Sequence, residues 1–401
     1  MPEEARWSHA NPVRIRAGAG VLAELPGLLP AGRILVVTSP GARRRGLLDG
    51  LLAALPDRLV ICDRIAPNPD LDALDELISG FLGLGLTGVC AIGGGSVIDA
   101  AKAFAACLPL GRERPLDAVL RHGSAAISAR LPLIVCPTTA GTGSEVTPFA
   151  TIWDGRDKRK RSLSDPLLYP DLALLDPVPT LTLPPDETLY SALDAISHAL
   201  ESLWNRHRTP VSSAMAAHSL AMMTEALPMA LRDPGNLRGR SQVQQASALA
   251  GLAISQTRTA IAHAISYPLT IHHGIPHGLA CSFTLPAIID LIESSRIDLA
   301  VDHGLLRRSR DLLLSLRLDE RIARLIAPES VLDMIEAMHA PGRSDNFLLP
   351  VDRTALRSIV ASSVKMRIQP AATNSHQQHS ASGSMSPSGT SSPPWGSGDS
   401  I

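Results

Sequence analysis

The chain has 401 residues, enough for two or three domains and a sizeable core. Its formal net charge of −1 excludes a global electrostatic pull toward nucleic acid or a membrane surface, and 45% apolar against 19% charged residues suits a well-buried globular enzyme. The five cysteines, Cys62, Cys90, Cys107, Cys136 and Cys281, lie far apart without a CxxC pair, which argues against a disulfide framework or a cysteine zinc site.

Taken in chain order, the first half alternates short β-rich runs with helical stretches. "RILVVTS" (33–39), "RLVICDRI" (58–65), "GVCAIGGGS" (88–96), "LPLIVCPTTAGTGSE" (131–145) and "ALLDP" (173–177) read as strands. "ARRRGLLDGLLAAL" and "DLDALDELISGFLGLG" between them have helical spacing, which predicts a mostly parallel sheet covered on both faces. After "LTLPPDETLYSALDAISHALESLWN" the chain reads as all-helical. The expected division is an α/β dinucleotide-binding domain over 1–183, an all-helical metal and substrate domain over 184–370, and a tail over 371–401. That tail is rich in Ser, Gly and Pro with almost nothing to bury, and is expected to be disordered. No basic segment with an apolar run opens the chain, and no uninterrupted apolar stretch reaches the roughly 20 residues of a membrane span, so a cytoplasmic protein without a nucleic-acid or membrane partner is expected.

Two loops stand where ligands bind in open α/β sheets, at the C-terminal ends of strands. In "GGGSVIDAAKAFA" (93–105), glycines after a strand let backbone approach a ligand, and the following helix start offers free N–H groups to a pyrophosphate. The G-x-G-x-x-G fingerprint is absent, and a tight turn alone would also explain these glycines. "CPTTAGTGSE" (136–145) adds a second loop of small hydroxyl residues, and together they favour a dinucleotide site.

"LDAISHALES" places Asp194 and His198 four apart, one turn along a single helix face. The stretch "HAISYPLTIHHGIPHG" (263–278) carries His263, His272, His273 and His277. His263 and His277 could complete a set of one carboxylate and three imidazoles, which suits Fe(II), Zn(II) or a similar divalent ion.

The combination resembles the iron-dependent (group III) alcohol dehydrogenase family. The matching elements are "PNP" (67–69), "GGGSVIDAAKA" (93–103), "PTTAGTGSE" (137–145), "DPLLYPDLALLDP" (165–177), "DAISHALES" (194–202) and "IPHG" (275–278), spread in order over residues 10–370. The resemblance implies the fold shared with dehydroquinate synthase and glycerol dehydrogenase, an α/β nucleotide-binding domain followed by an all-α domain. It implies metal ligands at Asp194, His198, His263 and His277, and leaves His272 and His273 as surface or supporting residues. It implies pyrophosphate contacts from Gly94, Gly95 and Ser96, a nicotinamide side lined by Asp99, Thr138, Thr139, Ser144 and Lys160, and an adenosine contact from Asn68. The implied activity is metal-dependent, NAD(P)H-linked interconversion of a small aldehyde and its primary alcohol. A homodimer fits the family, but the sequence does not fix the oligomeric state.

Three positions depart from the family pattern. Tyr267 stands where many members have a second histidine beside substrate, and with a pKa near 10 it is a poorer proton relay at neutral pH. Arg258 lies five residues before His263, in a segment that resembles the subgroup reducing phosphonoacetaldehyde in phosphonate antibiotic pathways. If the two lie on one helix, a two-carbon anionic aldehyde would bridge metal and guanidinium, with Arg258 and Tyr267 as its substrate contacts. Ser39 replaces the aspartate that repels a 2′-phosphate and precedes Arg43, Arg44 and Arg45, which leans the expectation toward NADPH over NADH. The competing readings are a general alcohol dehydrogenase, a maleylacetate-reductase-like enzyme, a dehydroquinate-synthase-like lyase and an inactive binding protein.

Overall fold

The computed structural model describes residues 6–122, 127–299, 301–339 and 344–364. The segment from 371, expected to be disordered, lies outside the described residues. The strands are β1 (Arg14–Ala17), β2 (Arg33–Thr38), β3 (Leu59–Cys62), β4 (Leu86–Gly93), β5 (Leu133–Pro137), β6 (Phe149–Asp154), β7 (Arg159–Ser164) and β8 (Leu172–Leu175). Six form one sheet in the order β1-β8-β5-β4-β2-β3, every pairing parallel. Alternate residues enter opposite cores: Leu35, Val37, Val89 and Ala91 on one face, Ile34, Val36, Cys90 and Ile92 on the other. Burial on both faces is why these strands read as continuous apolar runs.

Three sheet-side features differ from the sequence expectation. β1 is exposed along its whole length at the sheet edge, so no apolar run announces it. β6 and β7 form an antiparallel hairpin whose second strand, "RKRSLS", is too polar to read as a strand. The stretch 42–55 is two short helices, Pro40–Arg44 and Asp49–Ala54, with Gly46 in left-handed backbone (φ 71°) between them. The helices that bear on the site are α1 (Leu71–Ser79) and α2 (Gly95–Cys107), packed on the sheet side.

From residue 185 on, the described elements are helical: α3 (Pro185–Leu203), α4 (Pro210–Arg232), α5 (Leu237–Thr257), α6 (Ile261–His273), α7 (His277–Ala280), α8 (Leu285–Ser295) and shorter helices after them. α3, α4 and α5 pack against one another around Leu200, Leu203, Trp204, Leu220, Met223 and Ala250. α4 starts at a capping box, Thr209 with Ser212, which satisfies its first free amides. The stretch His277–Ser295 is long and apolar enough to cross a membrane by length and composition, but 61% of it is buried inside this helical core.

Candidate active site

The two glycine-rich loops form one structure. β4 runs into Gly94, which is extended, and α2 begins at Gly95. A Cβ on Gly95 would come 2.5 Å from Thr142 Cγ2, and one on Gly94 would come 3.2 Å from the Thr139 side chain. The glycines therefore let the second loop lie directly on the first. Thr138 is buried and its amide donates to Gly93 O at 2.9 Å. The "PNP" turn joins them, with Asn68 in left-handed backbone (φ 54°) donating its amide to Ser96 Oγ at 3.1 Å. Ser39, at the end of β2 beside β4, has its hydroxyl engaged as the helix cap accepting from Ala42 N at 3.2 Å. Of the arginines after it, Arg43 pairs with Asp63 at 2.9 Å and Arg45 donates to Thr182 Oγ1 at 3.3 Å.

Behind the loops lies a network that the sequence did not reveal. Lys102 is fully buried, and its ammonium donates to Ser144 Oγ at 3.0 Å, Thr147 O at 2.9 Å and Phe149 O at 2.7 Å. Burial pushes its pKa down to about 8, against the opposing pull of Asp99 and Glu145. Asp99 accepts from Ser144 Oγ at 2.5 Å and from Thr151 N at 2.8 Å, and burial raises its pKa. Asp99 and Ser144 thus tie α2 to the second loop and to β6. Lys102 sits three residues after Asp99 in a quoted motif, yet its role needs the fold-back of 144–149, which no local pattern shows.

On the helical side, three imidazoles converge on one carboxylate oxygen. Asp194 Oδ1 lies 3.5 Å from His198 Nε2, 3.4 Å from His263 Nε2 and 3.8 Å from His277 Nε2. α3 supplies Asp194 and His198, α6 supplies His263, and α7 begins at His277. The His198 and His263 rings stack at 4.9 Å and 12°. Asp194, His198 and His263 are buried, and His263 Nε2 has no hydrogen-bond partner. A largely buried cluster of imidazole nitrogens facing one carboxylate fits a divalent ion, since its positive charge would satisfy all of them at once.

The electrostatics follow from this packing. Burial opposes ionisation of Asp194, but the three imidazoles outweigh it and hold the carboxyl well below its usual range. Burial lowers His198, and it takes His277 down to about 3 despite Asp194, with Lys160 adding to the fall. His263 goes the other way: burial would lower it, but Glu201 and Asp194 raise it to about 10. Cys281, one of the five cysteines without a CxxC partner, also lies here. Ligand atoms of Asp194, His263, His277 and Cys281 all lie within 4.8 Å of one another. We favour His198 over Cys281 as the fourth ligand, because His198 Nε2 joins the other two imidazoles on Asp194 Oδ1 at 3.5 Å, whereas the Cys281 thiol donates toward Gly278 O at 3.5 Å.

Around the cluster, Tyr267 is buried, its ring parallel to that of His277 at 6.2 Å, and Lys160 Nζ lies 4.4 Å from the Tyr267 ring centroid. The hairpin strand β7 therefore brings a cation to the helical cluster. His272 and His273 are exposed in the last turn of α6. Arg258 corrects the expectation that it shares a helix with His263. It is the C-cap residue of α5, with φ 63° and ψ 174°, and α6 starts only at Ile261. The break arises because Asn205 Nδ2 holds Arg258 O at 3.0 Å and turns the chain away from α5. The Arg258 side chain is exposed.

Comparison with known proteins places these features in context. Residues 12–177 match the model of the iron-containing alcohol dehydrogenase family, and residues 188–340 match the model of the C-terminal part of the Fe-containing alcohol dehydrogenase family. The chain is 35% identical over 279 residues to phosphonoacetaldehyde reductase of Streptomyces viridochromogenes, covering 68% of this chain and 70% of that one. It is 39% identical over 202 residues to the probable alcohol dehydrogenase EutG of Salmonella typhimurium, a match spanning only 50% of either chain. The crystal structure of sulfoacetaldehyde reductase from Bifidobacterium kashiwanohense in complex with NAD+ superposes with a TM-score of 0.81 at 28% identity, over 90% of this chain and 99% of that one.

Proposed function

The chain belongs to the iron-containing alcohol dehydrogenase family, and on that premise we propose that it reduces a small anionic aldehyde to its primary alcohol with NADPH or NADH. The observation that carries the reading is the convergence of His198, His263 and His277 on Asp194 beside Lys160. A divalent ion held by these four residues, Fe(II) or Zn(II), supplies Lewis acidity toward a carbonyl oxygen, and a reduced nicotinamide supplies the hydride. The protein's own part is to orient and to exclude water. Gly94, Gly95 and Ser96 present the start of α2 to a pyrophosphate, Asn68 braces Ser96, and Tyr267 shields the imidazoles. The absence of an acidic side chain at Ser39 removes the usual bar to a 2′-phosphate, which supports NADPH as the preferred cofactor.

The anionic head of the substrate rests on two further observations. Relatives at 35% and 31% identity are named for phosphonoacetaldehyde and sulfoacetaldehyde, both two-carbon aldehydes with an anionic end. Arg258 sits in a backbone conformation that favours glycine, the kind of local strain that clusters at ligand-binding sites, and this supports a binding role for its guanidinium. Phosphonoacetaldehyde, reduced to 2-hydroxyethylphosphonate in a phosphonate natural-product pathway, is the substrate we favour. The test is NADPH and NADH oxidation with phosphonoacetaldehyde, sulfoacetaldehyde and propanal, with metal content measured on the same preparation. A kcat/KM for propanal equal to or above that for both anions would replace this reading with a general aldehyde reductase, the activity suggested by the 31% identical 1-propanol dehydrogenase PduQ.

A further inference from the structure

Glu201 is a fully buried carboxylate three residues beyond His198 on α3. All its bonds go to one place. Oε2 accepts from Ala260 N at 2.8 Å and faces His263 Nδ1 at 2.7 Å; Oε1 accepts from Ala262 N at 2.6 Å and His263 N at 3.3 Å. The start of α6 has no cap of its own, since the N-cap residue is Ala260. Glu201 caps it from another helix and takes up three amides that would otherwise be buried without partners.

The same carboxylate settles which nitrogen of His263 carries the proton. Both Glu201 oxygens already accept backbone N–H groups, so Nδ1 must donate to Oε2, and Nε2, which faces Asp194 Oδ1 at 3.4 Å, is the nitrogen that gives up its proton to a metal. We propose that Glu201 is the positioning residue of the metal centre: it fixes the tautomer and the ring orientation of His263 while anchoring the helix that carries it. This rests on the reading of His263 as a metal ligand. The contorted link before α6, with Arg258 at φ 63° and Ala260 at φ −127°, ψ −134°, turns the amides of 260, 262 and 263 toward one carboxylate.

The test is the zinc affinity of the purified protein, measured by competition with a chromogenic chelator for wild type, Glu201→Gln, His263→Ala and Asn205→Ala. Glutamine keeps the shape but replaces one acceptor with an NH2 group, which either faces His263 Nδ1 or opposes the amides of 262 and 263. Zinc affinity should fall about tenfold to a hundredfold, the usual consequence of removing a hydrogen-bond partner behind a ligand. Asn205→Ala loosens the same link by freeing Arg258 O without touching His263, and should lower the melting temperature while leaving zinc affinity within about twofold. An unchanged affinity in Glu201→Gln, or an equal loss in Asn205→Ala, overturns the proposal. If His263→Ala itself keeps wild-type affinity, the metal reading falls and takes this proposal with it; if only Glu201→Gln is unaffected, this proposal falls alone. Should Glu201→Gln fail to fold, zinc-loaded wild type labelled with 15N-histidine gives the answer by NMR. His263 should show the Nδ1–H form with an exchange-protected proton, and the Nε2–H form would overturn the assignment.

Discussion

On the sheet side, the chain offers a ligand its backbone. Gly94 and Gly95 lie so close to Thr139 and Thr142 that side chains there would push the two loops apart, and the polar groups behind them, Lys102, Asp99 and Ser144, are spent on one another. On the helical side, the chain offers side chains: three imidazoles and a carboxylate from three helices, aimed at one point, with Asp194, His198 and His263 buried and His277 half-buried. A site made of backbone tolerates many side-chain changes and fails where a Cβ does not fit. A site made of side chains fails when any one of them is lost.

The largest test of that contrast is Asp194→Asn. The change keeps the shape but removes the only negative charge on which the three Nε2 atoms converge. We expect loss of bound metal by elemental analysis and a fall in turnover on the order of a thousandfold, matching the several kcal/mol that a metal contributes to a developing alkoxide. Full metal occupancy in this variant would break the contrast at its root.

Glycine variants sharpen it. Gly278, beside His277, lies so close to Tyr190 O that an added methyl would overlap the backbone of α3, which cannot yield. Gly278→Ala should cost about 3 kcal/mol of stability and weaken metal binding as well. Gly95→Ala meets the Thr142 side chain, Cγ2 at 2.5 Å and Cβ at 2.9 Å, so rotation alone does not clear it, but the second loop can shift where a helix backbone cannot. It should cost about 1 kcal/mol of stability and raise the cofactor KM severalfold, while leaving metal content intact. Thermal melts and metal analysis on both variants check this, and the reverse order of stability loss would contradict it.

The same contrast explains what the sequence could reveal. Asp194 and His198 were visible because helix periodicity turns a spacing of four into a shared face, and His263 and His277 stood out by residue type. The buried strands were visible because both faces are apolar. Glu201 and Lys102 were not, although both lie inside quoted motifs. Their partners, Ala260 to His263 for one and Ser144 to Phe149 for the other, come from elements whose placement is a tertiary fact. The segment "SQTRTAIAH" contains no strong helix breaker, so the sequence predicts a single helix carrying both Arg258 and His263. The break is imposed by Asn205 and Glu201 from another part of the chain.

Arg258 also allows a test in the opposite direction. Its φ of 63° with ψ of 174° lies where glycine is at ease and arginine is not. Arg258→Gly should therefore raise stability by about 1 kcal/mol, visible as a higher melting temperature. If the proposed anionic substrate is right, the same variant should lose kcat/KM on phosphonoacetaldehyde and keep it on propanal. A lower melting temperature would show that the strain is illusory, and equal losses on both aldehydes would remove Arg258 from substrate recognition.

The smallest expected effect lies outside both sites, at the far end of the sheet from the glycine loops. Asp171, just before β8, accepts two bonds from Arg130 at 2.7 and 2.8 Å and one from Leu133 N at 2.7 Å. Burial opposes ionisation of this carboxyl, but Arg130 and the Leu133 amide outweigh it and lower its pKa. A carboxyl whose pKa is lower folded than unfolded stabilises the fold fully above its unfolded value, about 3.9, and loses that contribution as pH falls through the lower folded value. The Asp171 side chain is 40% exposed, so solvent screens the pair and its contribution should be about 0.5–1 kcal/mol. Asp171→Asn should melt lower than wild type near neutral pH, and the gap should close as the pH drops below about 4. Unlike Asp194→Asn, it should leave metal content and turnover unchanged, because this ion pair joins only the N-terminal ends of β5 and β8. A gap that stays constant with pH would assign the effect to the neutral hydrogen bonds of Asp171 rather than to its charge.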